Sequence, residues 1–526
     1  MTSRSRVLRA AVLVAGGTAV SVASSVGVKA QTPLTRAERT GWVETSRYED
    51  VAGFLTEVAA GGAVVLDTFG YTVEGRALPV ARWGRGPTRV LVFANIHAGE
   101  VEGKEAAQIL LRELAGGEHA AWRDALTLWV APIYNADGNE RIALTNRPFQ
   151  HGPVGGMGQR ANAQGFDLNR DFMKLDAPES RSLVALMAEV DPHLVVDLHT
   201  TNGSHHAYHL TYAPPLHPAT DYTVDRYLRD DWLPAITSSL APQWLAWYYG
   251  NLPDAGVDGA DEAAAPRAWY TFDHRPRFGT NYVGLRNRFA ILSEAYSYIT
   301  FEERARVTKA FVEAILDYAA GHGEDIRIVV EAADARPLIG TELPLRARHA
   351  LSAESIEILL ADVVEERHPS TGLPMLLRAG EVRAERMPEY GRFEGTETET
   401  VPRAYVVPRS LSGVLNLLVA HGIETAPPEG PPEALEVFRI TASRQAEREF
   451  QGHRERTVEG RWETVDVDAA AAELPLEDVV LVPMGQPLAR LAFLLLEPRS
   501  DDGVVTWNVV DEALEGATVY PIARIP

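Results

Sequence analysis

Through the first half of the chain, short apolar runs alternate with stretches of helical spacing. Residues 89–96 and 126–133 read as strands, and 193–198 is a continuous apolar run of the kind shown by a strand buried on both faces. A further strand is expected at 288–294. Residues 101–114 and 183–190 carry apolar side chains at helical intervals, and 301–320 predicts a longer helix ending near Gly321. An entry helix and a hairpin precede the first of these strands. Strands alternating with helices predict an α/β sheet covered on both faces. After about Glu324 the pattern changes to short β-type runs at 326–330, 355–360 and 404–407. A Pro-rich stretch at 426–432 interrupts them, and runs at 479–482, 491–496 and 504–509 follow. Residues 326–526 are therefore expected to form a mostly β accessory region of one or two small modules. The chain shows no internal repeat.

The first thirty residues have a pattern of their own. Arg4, Arg6 and Arg9 come without an acid, an Ala/Val/Gly/Ser stretch follows, and Val28-Lys29-Ala30 closes it as a small-x-small site. A basic start, an apolar core and a small-residue exit describe a secretory signal peptide cleaved near Ala30. Gly16, Gly17 and several hydroxyl residues make the stretch poor as a permanent span, so no membrane segment is expected after cleavage.

Composition narrows the chemistry. The 526 residues are 46% hydrophobic and 23% charged, the balance of an ordinary globular protein, which excludes wholesale disorder. There is no cysteine, so disulfides, thiolate metal sites and cysteine nucleophiles are excluded, and a transition metal must sit on His, Asp or Glu. A cysteine-free exported protein fits a bacterial periplasm or exterior, where a large core replaces disulfides. Fifty basic residues stand against 72 acidic ones, for a net charge of −22. Loss of residues 1–30 removes four positive charges and no acid, making it −26. A nucleic-acid partner is not expected, because phosphate binding needs a basic face.

Candidate chemistry begins at Asn95-Ile96-His97-Ala98-Gly99-Glu100, directly after a predicted strand. His97 and Glu100, three apart across a strand-to-helix turn, can aim imidazole and carboxylate at one ion, with Gly99 letting the chain bend between them. Alone, the pair is no more than a polar turn. His199 supplies a third candidate at the exit of the run 193–199, and sites in open α/β sheets form outside the carboxyl ends of strands. The three together would make a two-His, one-carboxylate zinc site with a fourth position open. Asp197, two residues before His199 and on the same strand face, either orients the imidazole or is solvated. Glu294, at the polar end of an apolar strand, is the candidate general base, or else the partner of Arg286 or Arg288. Residues 160–172 form an Asn- and Gly-rich loop with Arg160 and Arg170, and Arg grips carboxylates and oxyanions with a planar fork. Asn135-Ala136-Asp137-Gly138 is a turn signal.

In this order, His97-x-x-Glu100, Asn135-Ala136-Asp137-Gly138, Asp167-Leu168-Asn169-Arg170, His199 and Glu294 resemble the M14, carboxypeptidase A-like, zinc carboxypeptidases over roughly residues 45–320. The resemblance implies a three-layer α/β/α sandwich with a mixed sheet over 31–325 and one zinc per chain on His97, Glu100 and His199. It implies Glu294 as the catalytic carboxylate and Asp167 as the partner of a zinc-bound His. Asn169 and Arg170 would hold the terminal carboxylate of a peptide substrate, and Arg160, or else Arg147, would stabilise the oxyanion. Two departures stand out. Asp171 follows Arg170 where digestive members have Asn, placing a negative charge beside the carboxylate anchor. The long stretch from His199 to Glu294 leaves Tyr270 and Tyr282 both open as the family's mobile tyrosine.

The expected function is a secreted zinc metallocarboxypeptidase acting on peptides with a free C-terminal carboxylate. A zinc amidase or deacylase on cell-wall peptides or acyl-amino acids is the alternative on the same scaffold. A catalytically silent secreted binding protein is the alternative of another class.

Overall fold

Four parallel strands build the centre of the molecule. The computed structural model describes residues 32–201, 203–253, 266–428, 430 and 432–526; the expected signal segment lies outside them. The main sheet contains β1 (Val65–Tyr71), β2 (Ala77–Gly84), β3 (Thr88–Ala94), β4 (Leu126–Ala131), β5 (Leu194–Thr201), β6 (Leu210–Ala213) and β7 (Ala246–Tyr248). A two-residue β8 (Trp269–Tyr270) lies outside that sheet, and β9 (Phe289–Tyr296) completes it. The order is β1-β2-β4-β3-β5-β9-β6-β7, with β4, β3, β5 and β9 mutually parallel. Strand β2 runs antiparallel to β4, and β6 antiparallel to β9, so the sheet is mixed.

One face of the sheet is covered by the helices Tyr48–Ala59, Glu102–Gly116, Phe301–Gly321 and Gly323–Asp334. Glu102–Gly116 stops at Gly117, whose φ of 96° is one that glycine adopts without cost. Phe301–Gly321 starts from a reciprocal capping box between Thr300 and Glu303. The other face carries Leu91, Phe93, Val195 and Ala290, packed with the helices Pro178–Val190 and Gly279–Leu285. The result is the expected α/β/α sandwich.

The C-terminal half joins that second face rather than standing apart. Helix Ser412–His421 packs on Pro178–Val190, and helix Ala489–Leu496 packs on Gly279–Leu285. Their apolar residues, with Tyr405, Phe438 and Trp507, form one buried cluster with the sheet face. The expected boundary at 325/326 falls inside helix Gly323–Asp334, and residues 33–526 form one compact unit.

This half is indeed rich in strands. It holds the antiparallel pairs β10 (Glu342–Ala350) with β14 (Arg392–Thr400) and β11 (Ile356–Arg367) with β12 (Pro374–Met387). The two-residue β13 (Glu389–Tyr390) pairs with β8. An antiparallel sheet of β15 (Ala404–Pro408), β16 (Leu435–Gln445), β17 (Arg456–Val465), β18 (Val479–Pro483) and β19 (Ala523–Ile525) completes it.

Three expected β-runs are not strands. Residues 326–330 lie in helix Gly323–Asp334, where Ile326, Val330 and Ala333 are buried on one face and Ile328 is exposed. That spacing is helical, and a five-residue window was too short to show it. Residues 491–496 lie in a helix buried all round, whose unbroken apolar pattern cannot be told from a buried strand. Residues 504–509 are turns.

Candidate metal centre and catalytic cleft

Along β5 and β9 the face that packs the core changes from apolar to polar at its carboxyl end. Val195 gives way to Asp197 and His199, and Ala290 to Leu292 and Glu294, at every second residue. His199 and Glu294 are partners in register, so both point to the same side. Strand β3 ends beside β5, and the turn after it brings His97 and Glu100 to the same edge. In that turn Asn95, with φ 68°, makes the sharp bend. Gly99 serves differently from the sequence expectation. Its backbone is ordinary, but a Cβ there would lie 2.8 Å from the Gly158 carbonyl oxygen and 2.9 Å from Arg147 Cγ.

His97 Nδ1 stands 2.9 Å from Glu100 Oε1, and His199 Nδ1 stands 2.9 Å from Glu100 Oε2. All three side chains are buried, and one ligand atom from each lies within 4.8 Å of the others. The outer nitrogens face carboxylates: His97 Nε2 is 2.9 Å from Asp167 Oδ1, and His199 Nε2 is 2.9 Å from Asp197 Oδ2. The bond to Asp167 directs His97 Nδ1 inward and raises the basicity of that ring, whereas His199 Nε2 and Asp197 Oδ2 are close without being aligned for a hydrogen bond. Asp197 is thus placed against His199, and the solvated alternative is excluded.

The local charges are strongly coupled. Burial opposes ionisation of Glu100, but Arg147 and the two imidazoles hold its carboxyl well below the usual range. Burial also opposes the charge on Asp167, and His97 and Arg160 outweigh it, so this carboxyl too is held well below its usual range. His199 is pushed well above an ordinary histidine by Asp197 and Glu100, against the effect of burial. Two imidazoles, each facing a carboxylate, and the Glu100 carboxylate between them fit a dication of the zinc type, which takes nitrogen and oxygen ligands.

Glu294 has no cationic partner of the kind the sequence left open. Arg286 donates to Tyr282 Oη and the His421 carbonyl, and Arg288 is paired with Asp191 and Asp334. Glu294 Oε2 is shut off from solvent without a hydrogen bond, although the residue as a whole is half-buried. Burial pushes its pKa to about 8; the His199 charge lowers it, and Glu100 and Asp197 raise it.

The loop after Asn135 completes the cleft. Asn135 Oδ1 caps the short helix Ala136–Glu140 by accepting from Gly138 N, while its amide donates to the Ile96 and Arg160 carbonyls. One side chain therefore ties the turn that carries His97 and Glu100 to the arginine loop, a role beyond the turn signal read from sequence. Arg160 Nε donates to Asp167 Oδ2 at 2.9 Å, and its side chain is 45% exposed. Arg147 is more enclosed, at 10%, and donates to Glu100 Oε1. Asn169 accepts from Gly279 N, and the Arg170 guanidinium lies 3.9 Å above the Phe278 ring.

Asp171 does not face this anchor. It is fully buried, bonded to Lys174 and accepting from the Asp176 and Ala177 amides at 3.0 and 2.8 Å. Its charge is consumed in shaping the loop. Of the two candidate tyrosines, Tyr282 Oη is bonded to His421 and Arg286 in the core, and Tyr270 is stacked on Tyr390 with ring centroids 4.6 Å apart.

Residues 54–215 match the sequence profile of the zinc carboxypeptidase family. Carboxypeptidase 2 of Trichophyton equinum is 22% identical over 464 residues, covering 83% of this chain and 76% of that protein. Carboxypeptidase 2 of Trichophyton rubrum is 20% identical over 530 residues, covering 94% and 89%. Among solved structures, the metallo-carboxypeptidase of Burkholderia cenocepacia matches with a TM-score of 0.40 at 18% identity, covering 53% of this chain and 71% of that one.

Proposed function

We propose that this chain, a metallopeptidase of the zinc carboxypeptidase-like kind, removes residues one at a time from the C-terminus of peptides with a free terminal carboxylate. The observation that carries this reading is the convergence of His97, Glu100 and His199 at the carboxyl ends of adjacent parallel strands, beside Glu294, whose Oε2 has no hydrogen-bond partner among the described residues. Zinc held by these three would supply a Lewis acid for the scissile carbonyl and lower the pKa of the attacking water. Glu294 takes the proton from that water and later delivers it to the leaving amine. Its raised pKa suits a group that must both accept and return a proton near neutral pH, and a dication nearby would pull it down.

Arg160, the more exposed of the two cleft arginines, donates to the carbonyl oxygen as charge develops there. Asn169 and Arg170 receive the substrate's terminal carboxylate, the Arg170 fork held in place by the Phe278 ring. With Asp171 neutralised by Lys174, the charge that stood against this assignment in the sequence is removed from the anchor. Export through residues 1–30 belongs to the same proposal. An amidated peptide and its free-acid twin, incubated with the zinc-loaded protein, test it. Shortening of the free acid alone is the expected result, and equal turnover of both would sink the terminal-carboxylate assignment.

A further inference from the structure

The turn at Phe450–His453, between β16 and β17, reaches back to the loop that carries Asp167. Gln451 Oε1 accepts from Asp167 N at 2.8 Å, a bond spanning 284 residues of sequence. On either side the turn is fastened. Gly452, with φ 79°, lies so close to Phe166 that a Cβ would sit 3.1 Å from its ring. His453 Nε2 is 2.7 Å from Asp176 Oδ2, and Glu455 pairs with Arg277 at 2.8 Å. Gln451 itself has φ 52°, an uncommon backbone for a residue with a long side chain, which its surroundings must hold in place.

Asp167 needs such an outside anchor. Its Oδ1 meets His97 Nε2 and accepts from Asn169 N of its own turn, and its Oδ2 accepts from Arg160. Its backbone N–H pairs with the Gln451 side chain. We propose that Gln451 is a positioning residue of the metal centre, setting Asp167 and, through it, the His97 imidazole. The C-terminal half thereby completes the active site instead of only bracing the fold. This rests on the reading that His97, Glu100 and His199 hold the metal.

The test is zinc affinity of the full chain, measured by chelator competition on Gln451→Ala, Gln451→Glu and His453→Ala. Partners that orient metal ligands typically change affinity by ~10–100-fold. Gln451→Ala is therefore expected to weaken zinc binding about tenfold or more, while the thermal midpoint of the zinc-free protein falls no further than in His453→Ala. Gln451→Glu keeps an oxygen acceptor and should restore the affinity. His453→Ala loosens the same turn but leaves the Gln451 bond, so its affinity should stay near that of the parent. Unchanged affinity in Gln451→Ala, an equal loss in His453→Ala, or no recovery in Gln451→Glu would each overturn the proposal. A parent protein that bound no zinc would instead overturn the metal assignment itself.

Discussion

At the scale of single residues, the centre depends on a few side chains with separable tasks. On the proposed assignment, replacing Glu294 with Gln would remove the proton acceptor but none of the three candidate metal ligands. Turnover should fall by ~10²–10⁴ with zinc content unchanged, as seen by metal analysis beside a rate assay. His199→Ala would remove one of the proposed ligands and should lower zinc content first. Gly99→Ala forces a methyl group against the Gly158 carbonyl and Arg147, at a cost of about 1–3 kcal/mol by overpacking. A thermal midpoint equal to the parent's would show that the turn is looser than this. The convergence of His97, Glu100, His199 and Glu294 was legible because each lies in, or in the turn just after, the carboxyl-terminal part of a strand that could be read locally. Arg147 on Glu100 and Gln451 on Asp167 were not. Those contacts span 47 and 284 residues and depend on where a loop and a hairpin travel, which no local pattern records.

At the scale of elements, the same sequence signal succeeded and failed for one reason. Runs 193–198 and 288–294 are strands, and 491–496, equally apolar, is a helix buried on every side. Continuous burial erases the period that separates the two. Buried elements also carry histidines that should make the protein acid-sensitive. Burial lowers His421 to about 4, and His206 and His217 to about 3. His421 bridges Tyr282 and the Met173 carbonyl, so it links helix Ser412–His421 to the catalytic half. Each folded-state pKa lies below the ordinary value of 6.5, so the unfolded chain binds more protons. Their contribution to stability is intact above about pH 6.5 and is lost as pH falls toward 4 and then 3, by ~1.4 kcal/mol per group per pH unit. Urea midpoints at pH 7.5 and 5.5 should therefore differ, with the lower value at pH 5.5. Equal midpoints would show that these imidazoles are not buried as described.

At the scale of the whole molecule, the expected partition into a catalytic domain and an accessory region misses how the core is built. The sheet face that ends in His199 and Glu294 is covered partly by helices Ser412–His421 and Ala489–Leu496. A chain cut after residue 335 would expose that face. It should be insoluble or lack a cooperative melt, whereas a soluble, zinc-binding fragment would show that the two halves are separable. The net charge of −22 and the absence of cysteine constrained the partners and the ligand set without indicating this arrangement. With zinc at His97, Glu100 and His199, the chain is proposed to trim peptides from their C-termini. Mass spectrometry of a mixed peptide library, digested with and without a chelator, tests it most directly. Ladders of products shortened by successive C-terminal residues, abolished by the chelator and restored by zinc, are the expected result. Internal cleavage, or ladders that persist in the chelator, would contradict it.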